Sequence, residues 1–119
     1  MENPCVCALG HPSGRLLGRR EAMDLDWEQL FATASRTGCA IEINASWQRL
    51  DLKDVHVRQA LEAGCLLVIN TDAHSGDQLD QMALGVRTAR RGWATADRII
   101  NTWPVSKVRD WVEARRKRR

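Results

Sequence analysis

Two of the chain's three histidines stand where an apolar run ends. In "LLVINTDAHS" the run stops at Asp72 and His74, and in "CVCALGHPSGR" it stops at His11. Side chains in an extended segment alternate faces, so Asp72 and His74, two residues apart, point the same way. Carboxylate plus imidazole, without cysteine nearby, suits a hydrolytic Zn²⁺, Mn²⁺ or iron site better than a structural zinc. The expectation is that His11, Asp72 and His74 converge on one face. Polar strand ends beside loops would account for any one of the three singly. Asn44 ends a further apolar run, "CAIEIN", and so falls at the same kind of strand end. His56, the remaining histidine, lies among charged neighbours and reads as a surface residue.

Arginines cluster around the same ends. Arg15, Arg19 and Arg20 follow His11 in "GHPSGRLLGRR", and Arg49 follows Asn44 in "SWQRLDL". Guanidinium groups rimming a metal face favour an anionic substrate, most simply a phosphate ester. A solvated loop would explain each arginine alone; a shared rim favours the functional reading.

The elements that must position these residues alternate in period. "CVCALG", "CAIEIN" and "LLVINTD" read as strands. "WEQLFATASRTG" is a helix with Trp27, Leu30, Phe31 and Ala34 on one face. Asp26 and Gln29 form a capping-box pattern at its start, and Gly38 closes it. "DVHVRQALEAG" is a second helix with Val57, Leu61 and Val55 inward. "GDQLDQMALGVRTARRG" is a third, with Leu79, Met82, Val86 and Ala89 inward, and "ADRIIN" is a short helical turn. Pro104 opens a last helix carrying Val105, Val108, Trp111 and Val112. The order β-α-β-α-β-α-α, with continuous apolar strands, belongs to an α/β fold with a buried parallel sheet. In such folds the functional face lies at the carboxyl ends of the strands, where every candidate ligand sits.

The chain of 119 residues is 44% hydrophobic and 28% charged, as expected of one globular domain. No apolar run approaches the roughly 20 residues of a membrane span. The N-terminus lacks the pattern of a signal peptide, so a cytoplasmic location is expected. Cys5, Cys7, Cys39 and Cys65 lie in or beside apolar runs without C-x-x-C spacing and read as reduced core residues. The net charge of +3 is uneven: "RRKRR", residues 115–119, carries five positive charges and leaves −2 on the rest. That tail reads as a solvated helix end, with contact to a phosphate backbone as the other option.

"GHPSGRLLGRR", "IEINASWQRLDL", "NTDAHS" and "LGVRTARRGW…INTW" together resemble the C-terminal half of the PHP (polymerase and histidinol phosphatase) domain. More narrowly, they resemble its version in bacterial family X DNA polymerases, a DNA polymerase/3′-5′ exonuclease lineage. The likeness covers residues 1–114 and leaves 115–119 as a basic tail. It implies part of a distorted (β/α)₇ TIM-type barrel, with His11, Asp72 and His74 as metal ligands of a divalent cluster (Mn²⁺ or Zn²⁺, or iron). It also implies a phosphoesterase acting as a 3′-5′ exonuclease in DNA-end processing and repair, with DNA as partner and no membrane. The family's N-terminal PHP half, with its other ligands, and the polymerase domain are absent from this sequence. A fragment with little activity of its own, and with open strand edges, is therefore expected. An inactive metal-binding or docking remnant and a histidinol-phosphatase-like enzyme for small molecules are the alternatives.

Overall fold

The computed structural model describes residues 1–117; Arg118 and Arg119 of the basic tail lie outside the described residues. Three parallel strands form the sheet in the order β1 (Ala8–Leu9), β2 (Ala40–Asn44), β3 (Leu67–Asn70). Every residue of β2 is buried, as a central strand covered on both faces requires. Ile41 and Ile43 are fully buried there, and each contributes about 1.5–3 kcal/mol of hydrophobic stabilisation. They join Phe31, Val57, Leu67, Ile69 and Ala89 in one core.

Helix α1 (Trp27–Thr37) starts where the sequence places it, with the Asp26 carboxylate accepting from the Gln29 N–H at 2.9 Å. It ends on Gly38, whose φ of 72° is a left-handed conformation that a side chain would resist. Helix α2 (Asp54–Glu62) buries Val57 and Ala60 and leaves Val55 exposed, contrary to the expected inward face. His56 is half-buried rather than on the surface, its ring 3.9 Å from that of Trp27.

The third expected helix is two elements, a 3₁₀ stretch at Gly76–Gln81 and α3 (Met82–Arg91). Leu79 and Val86 face solvent, because the surface turned to the sheet is the smaller one of Gly85 and Ala89. A Cβ on Gly85 would stand 2.5 Å from Ile69 Cγ2 and 2.8 Å from Ala45 Cβ. The glycine therefore sets how closely α3 approaches β2 and β3.

Strand β1 is much shorter than the run "CVCALG". Asn3 closes a turn with Cys5 and Val6, leaving Cys5 exposed, and only Ala8 and Leu9 pair with β2. Cys39 and Cys65 are the core thiols; burial pushes Cys65 up to about 11. Beyond β1, the same edge of β2 is taken by the chain itself. Asp51 bridges Asn44 in antiparallel fashion, and the Leu52 N–H donates to the Glu42 carbonyl.

The outer edge of β3 is also covered, contrary to the expectation of open edges. Leu67 bridges Ile99, and the Asn101 side-chain amide bonds both N–H and C=O of Ile69 at 2.8 Å each. This covering blunts an edge that would otherwise invite pairing.

Helix α4 (Val105–Lys117) runs through the boundary expected before residue 115. Arg115 is 3% exposed, not solvated. Its guanidinium donates to the carbonyls of Thr37, Met1, Asn3 and Val6, tying the N-terminal segment to the end of α1. No described helix is long and apolar enough to cross a membrane.

Candidate functional site

Because all three strands run the same way, the loops that follow them gather at one end of the sheet. The centre of that end is Glu42, a carboxylate only 8% exposed in an otherwise apolar strand. Its Oε2 accepts from the His11 backbone N–H at 2.6 Å and from Asn44 Nδ2 at 3.3 Å. Its Oε1 accepts from Asn70 Nδ2 at 2.8 Å. One buried charge thus holds the end of each strand, supported by three donors, as a buried carboxylate requires.

Asn44 extends the network. Its Nδ2 also donates to Asp72 Oδ2 at 3.2 Å, and its Oδ1 accepts from the Ser46 N–H at 3.1 Å. Arg49 Nε donates to the same Asp72 oxygen at 3.2 Å in a partly exposed ion pair. Asp72 is therefore oriented from two sides before any ligand arrives. His74 Nδ1 lies 2.7 Å from the Asp72 carbonyl oxygen. With Nδ1 as donor, Nε2 keeps the lone pair that a metal or proton would use, the usual arrangement behind a ligating histidine.

The backbone is strained at this end. His11 (φ 27°) and Asp72 (φ 55°) are two of the four non-glycine residues with positive φ among the described residues. Aspartate tolerates that region better than most residues. Strain of about 1–3 kcal/mol per residue persists only where surrounding contacts over-determine it, and such positions concentrate at functional sites.

A second buried carboxylate, Asp51, joins the loop after β1 to the loop after β2. Its Oδ2 accepts from Ser13 N (3.0 Å), Ser13 Oγ (2.8 Å) and Gly14 N (3.1 Å). Arg15 locks the same two loops, donating from Nε to the Arg49 carbonyl at 2.7 Å and from Nη2 to that of Leu50.

The sequence-derived candidates divide accordingly. Asn44, Arg49 and Asp72 are brought into direct contact, with His74 against the Asp72 backbone. His11 enters through its backbone N–H. Among the described residues, no group of three His, Cys, Asp or Glu side chains is arranged to hold a metal ion. The donor types fit a divalent cation, whereas the number gathered at one point does not. Arg15 and Arg49 hold protein groups rather than standing open on a rim, Arg20 donates to the Gly14 carbonyl at 2.8 Å, and Arg19 is exposed.

Glu42, Asp51 and Asn70 were not among the candidates. A charged residue inside the apolar run "CAIEIN" was the available signal for Glu42. Trp47 is a further addition: it is 59% exposed on the turn that also carries Arg49, with its backbone N–H fixed by Gln81 Oε1 at 2.9 Å. A larger cleft, of about 420 Å³, lies between α1 and α2 and contains none of these residues.

No protein-family model matches the chain. Over 113 residues it is 41% identical to the DNA polymerase/3'-5' exonuclease PolX of Bacillus subtilis (strain 168). The alignment covers 95% of this chain and 20% of that relative, so the chain spans about one fifth of the relative's length.

Proposed function

We propose that this chain is the carboxyl-terminal portion of a PHP-type phosphoesterase module of the bacterial family X DNA polymerase kind, working on DNA ends in repair. The observation that carries this reading is the 41% identity with PolX, sustained over 113 residues. Two structural features support it. The strands are parallel, as a segment of a (β/α)₇ barrel requires, and the polar side chains collect at their carboxyl ends.

In this reading His11, Asp72 and His74 are part of the ligand set for divalent ions such as Mn²⁺, Zn²⁺ or iron, completed by residues from elsewhere. Such ions would supply Lewis-acid activation of a phosphodiester. Glu42, Asn44 and Arg49 position that set: Glu42 holds the His11 backbone, and Asn44 with Arg49 aims the Asp72 carboxylate. Arg19 and Arg20 are the candidates for backbone phosphate contacts, being on the exposed loop after β1, with DNA as the partner.

The second reading is a docking or metal-binding remnant without activity. It is favoured by the lack of three convergent ligands among the described residues. A chimera separates the two: the matching segment of the Bacillus subtilis relative is replaced by this chain, and Mn²⁺-dependent 3′-5′ exonuclease activity is measured. Activity that falls by about a hundredfold or more in Asp72→Asn and His74→Ala supports the enzymatic reading. A folded chimera without nuclease activity leaves the remnant.

A further inference from the structure

The loop after β1 and the start of α2 enclose a cleft of about 200 Å³ that contains none of the candidate metal ligands. It is lined by Ser13, Arg15, Trp27, Asp51, Lys53 and His56, three of them nitrogen bases or cations. Asp51 is the one acidic residue among these, and its Oδ2 is already engaged by three donors from Ser13 and Gly14. Lys53 is the residue preceding α2, where the Asp54 carboxylate accepts from the Val55 N–H at 3.0 Å, so the positive charge beside the cleft is that of Lys53 and Arg15.

We propose that this cleft is an oxyanion site for a phosphate group, held between Lys53 and His56 beside the positive charge of Arg15, whose Nε and Nη2 already donate to the Arg49 and Leu50 carbonyls. The volume argues for a small anion, because sites for drug-sized ligands run to roughly 300–1,000 Å³. The His56 ring is fixed in place by its stacking on Trp27. Its pKa is lowered to about 4, first by burial and then by Lys53 and Arg15, so near neutral pH the ring is a neutral imidazole whose N–H can donate to a phosphate oxygen. The inference goes beyond the phosphoesterase reading and does not need the metal ligands to be correct.

The test is an NMR titration of the His56 imidazole resonances in the 119-residue chain at near-neutral pH. Inorganic phosphate is added in one series and the trinucleotide TpTpT, whose phosphates are all diesters, in another. A saturable shift that weakens about tenfold or more in Lys53→Gln, with an unchanged amide spectrum, supports the site. Response to TpTpT as well assigns it to nucleic-acid backbone phosphate, whereas response to inorganic phosphate alone assigns it to a free or terminal monoester. His56→Gln, followed by calorimetry, should weaken binding in parallel and covers the case in which the lysine variant fails to fold. Absence of a saturable response to both ligands, or unaltered affinity in the folded variants, overturns the proposal.

Discussion

Replacing Asn44 by aspartate tests the network at the strand ends most directly. The side chain is 1% exposed, and its Nδ2 stands 3.3 Å from Glu42 Oε2 and 3.2 Å from Asp72 Oδ2. Asn44→Asp turns two hydrogen bonds into two carboxylate–carboxylate contacts. Each like-charge contact at that range is repulsive by up to about 5 kcal/mol at an effective dielectric of 20. Arg49 and the partial exposure of Asp72 offset much of this, so the expected net loss is about 3–4 kcal/mol at pH 7.5. Such a loss corresponds to a carboxyl pKa raised in the folded state by the like charges around it. Between the ordinary carboxylate value and the raised one the folded protein holds an extra proton, and the unfolded chain does not. Stability of the variant relative to wild type therefore rises as pH falls through that window, and the deficit is small near pH 4. Urea unfolding followed by tryptophan fluorescence at several pH values measures this. Added Mn²⁺ should stabilise the variant more than wild type, because the new carboxylate faces Asp72 and relieves its charge by binding the ion. A loss under about 1 kcal/mol at pH 7.5, or one that does not shrink on acidification, would refute the geometry argued for Glu42, Asn44 and Asp72.

Three further outcomes are expected. Arg115→Ala removes donors to four carbonyls and should cost about 3 kcal/mol in chemical denaturation, with amide exchange accelerated first around Met1–Val6; a surface-like change within about 0.5 kcal/mol would contradict the burial of this residue. Gly85→Ala drives a methyl group into Ile69 and Ala45 and should destabilise by about 1–3 kcal/mol, read as a lowered Tm, whereas the exposed Arg87→Ala should be nearly neutral. His56, with its folded pKa lowered to about 4 by burial and by Lys53 and Arg15, binds fewer protons folded than unfolded between that value and its ordinary 6.5. Stability therefore rises with pH across this window, and in His56→Gln that part of the pH dependence should vanish.

Much of the fold was legible because it is specified locally. The Asp26–Gln29 cap, the Gly38 stop and the apolar face of α1 depend on residues a turn apart, and all three stand as read. The apolar run ending at Asn44 is a buried parallel strand for the same reason: five consecutive residues must be covered on both faces. Asn44 ends β2 as read, whereas β3 stops at Asn70, so Asp72 and His74 lie in the loop beyond it, and Asp72 at φ 55° is not part of the extended segment that the alternation of side chains needs.

What the tertiary structure decided turns on partners distant in sequence. Arg115 is buried because four carbonyls from residues 1–37 converge on it, and no local pattern in "RRKRR" distinguishes it from its neighbours. Leu79 and Val86 are exposed because α3 meets the sheet through Gly85, so close approach of backbones overrode apolar periodicity. The edge of β3 is closed by Asn101, about thirty residues away along the chain, and Arg15 and Arg49 are tied to loops rather than open to solvent. Residue types, the cap and stop of α1 and the extent of β2 could be read from the chain alone, because they follow from local period and polarity. Which carboxylate holds which backbone, and how many ligands meet at one point, could not, because each depends on the three-dimensional meeting of separate loops.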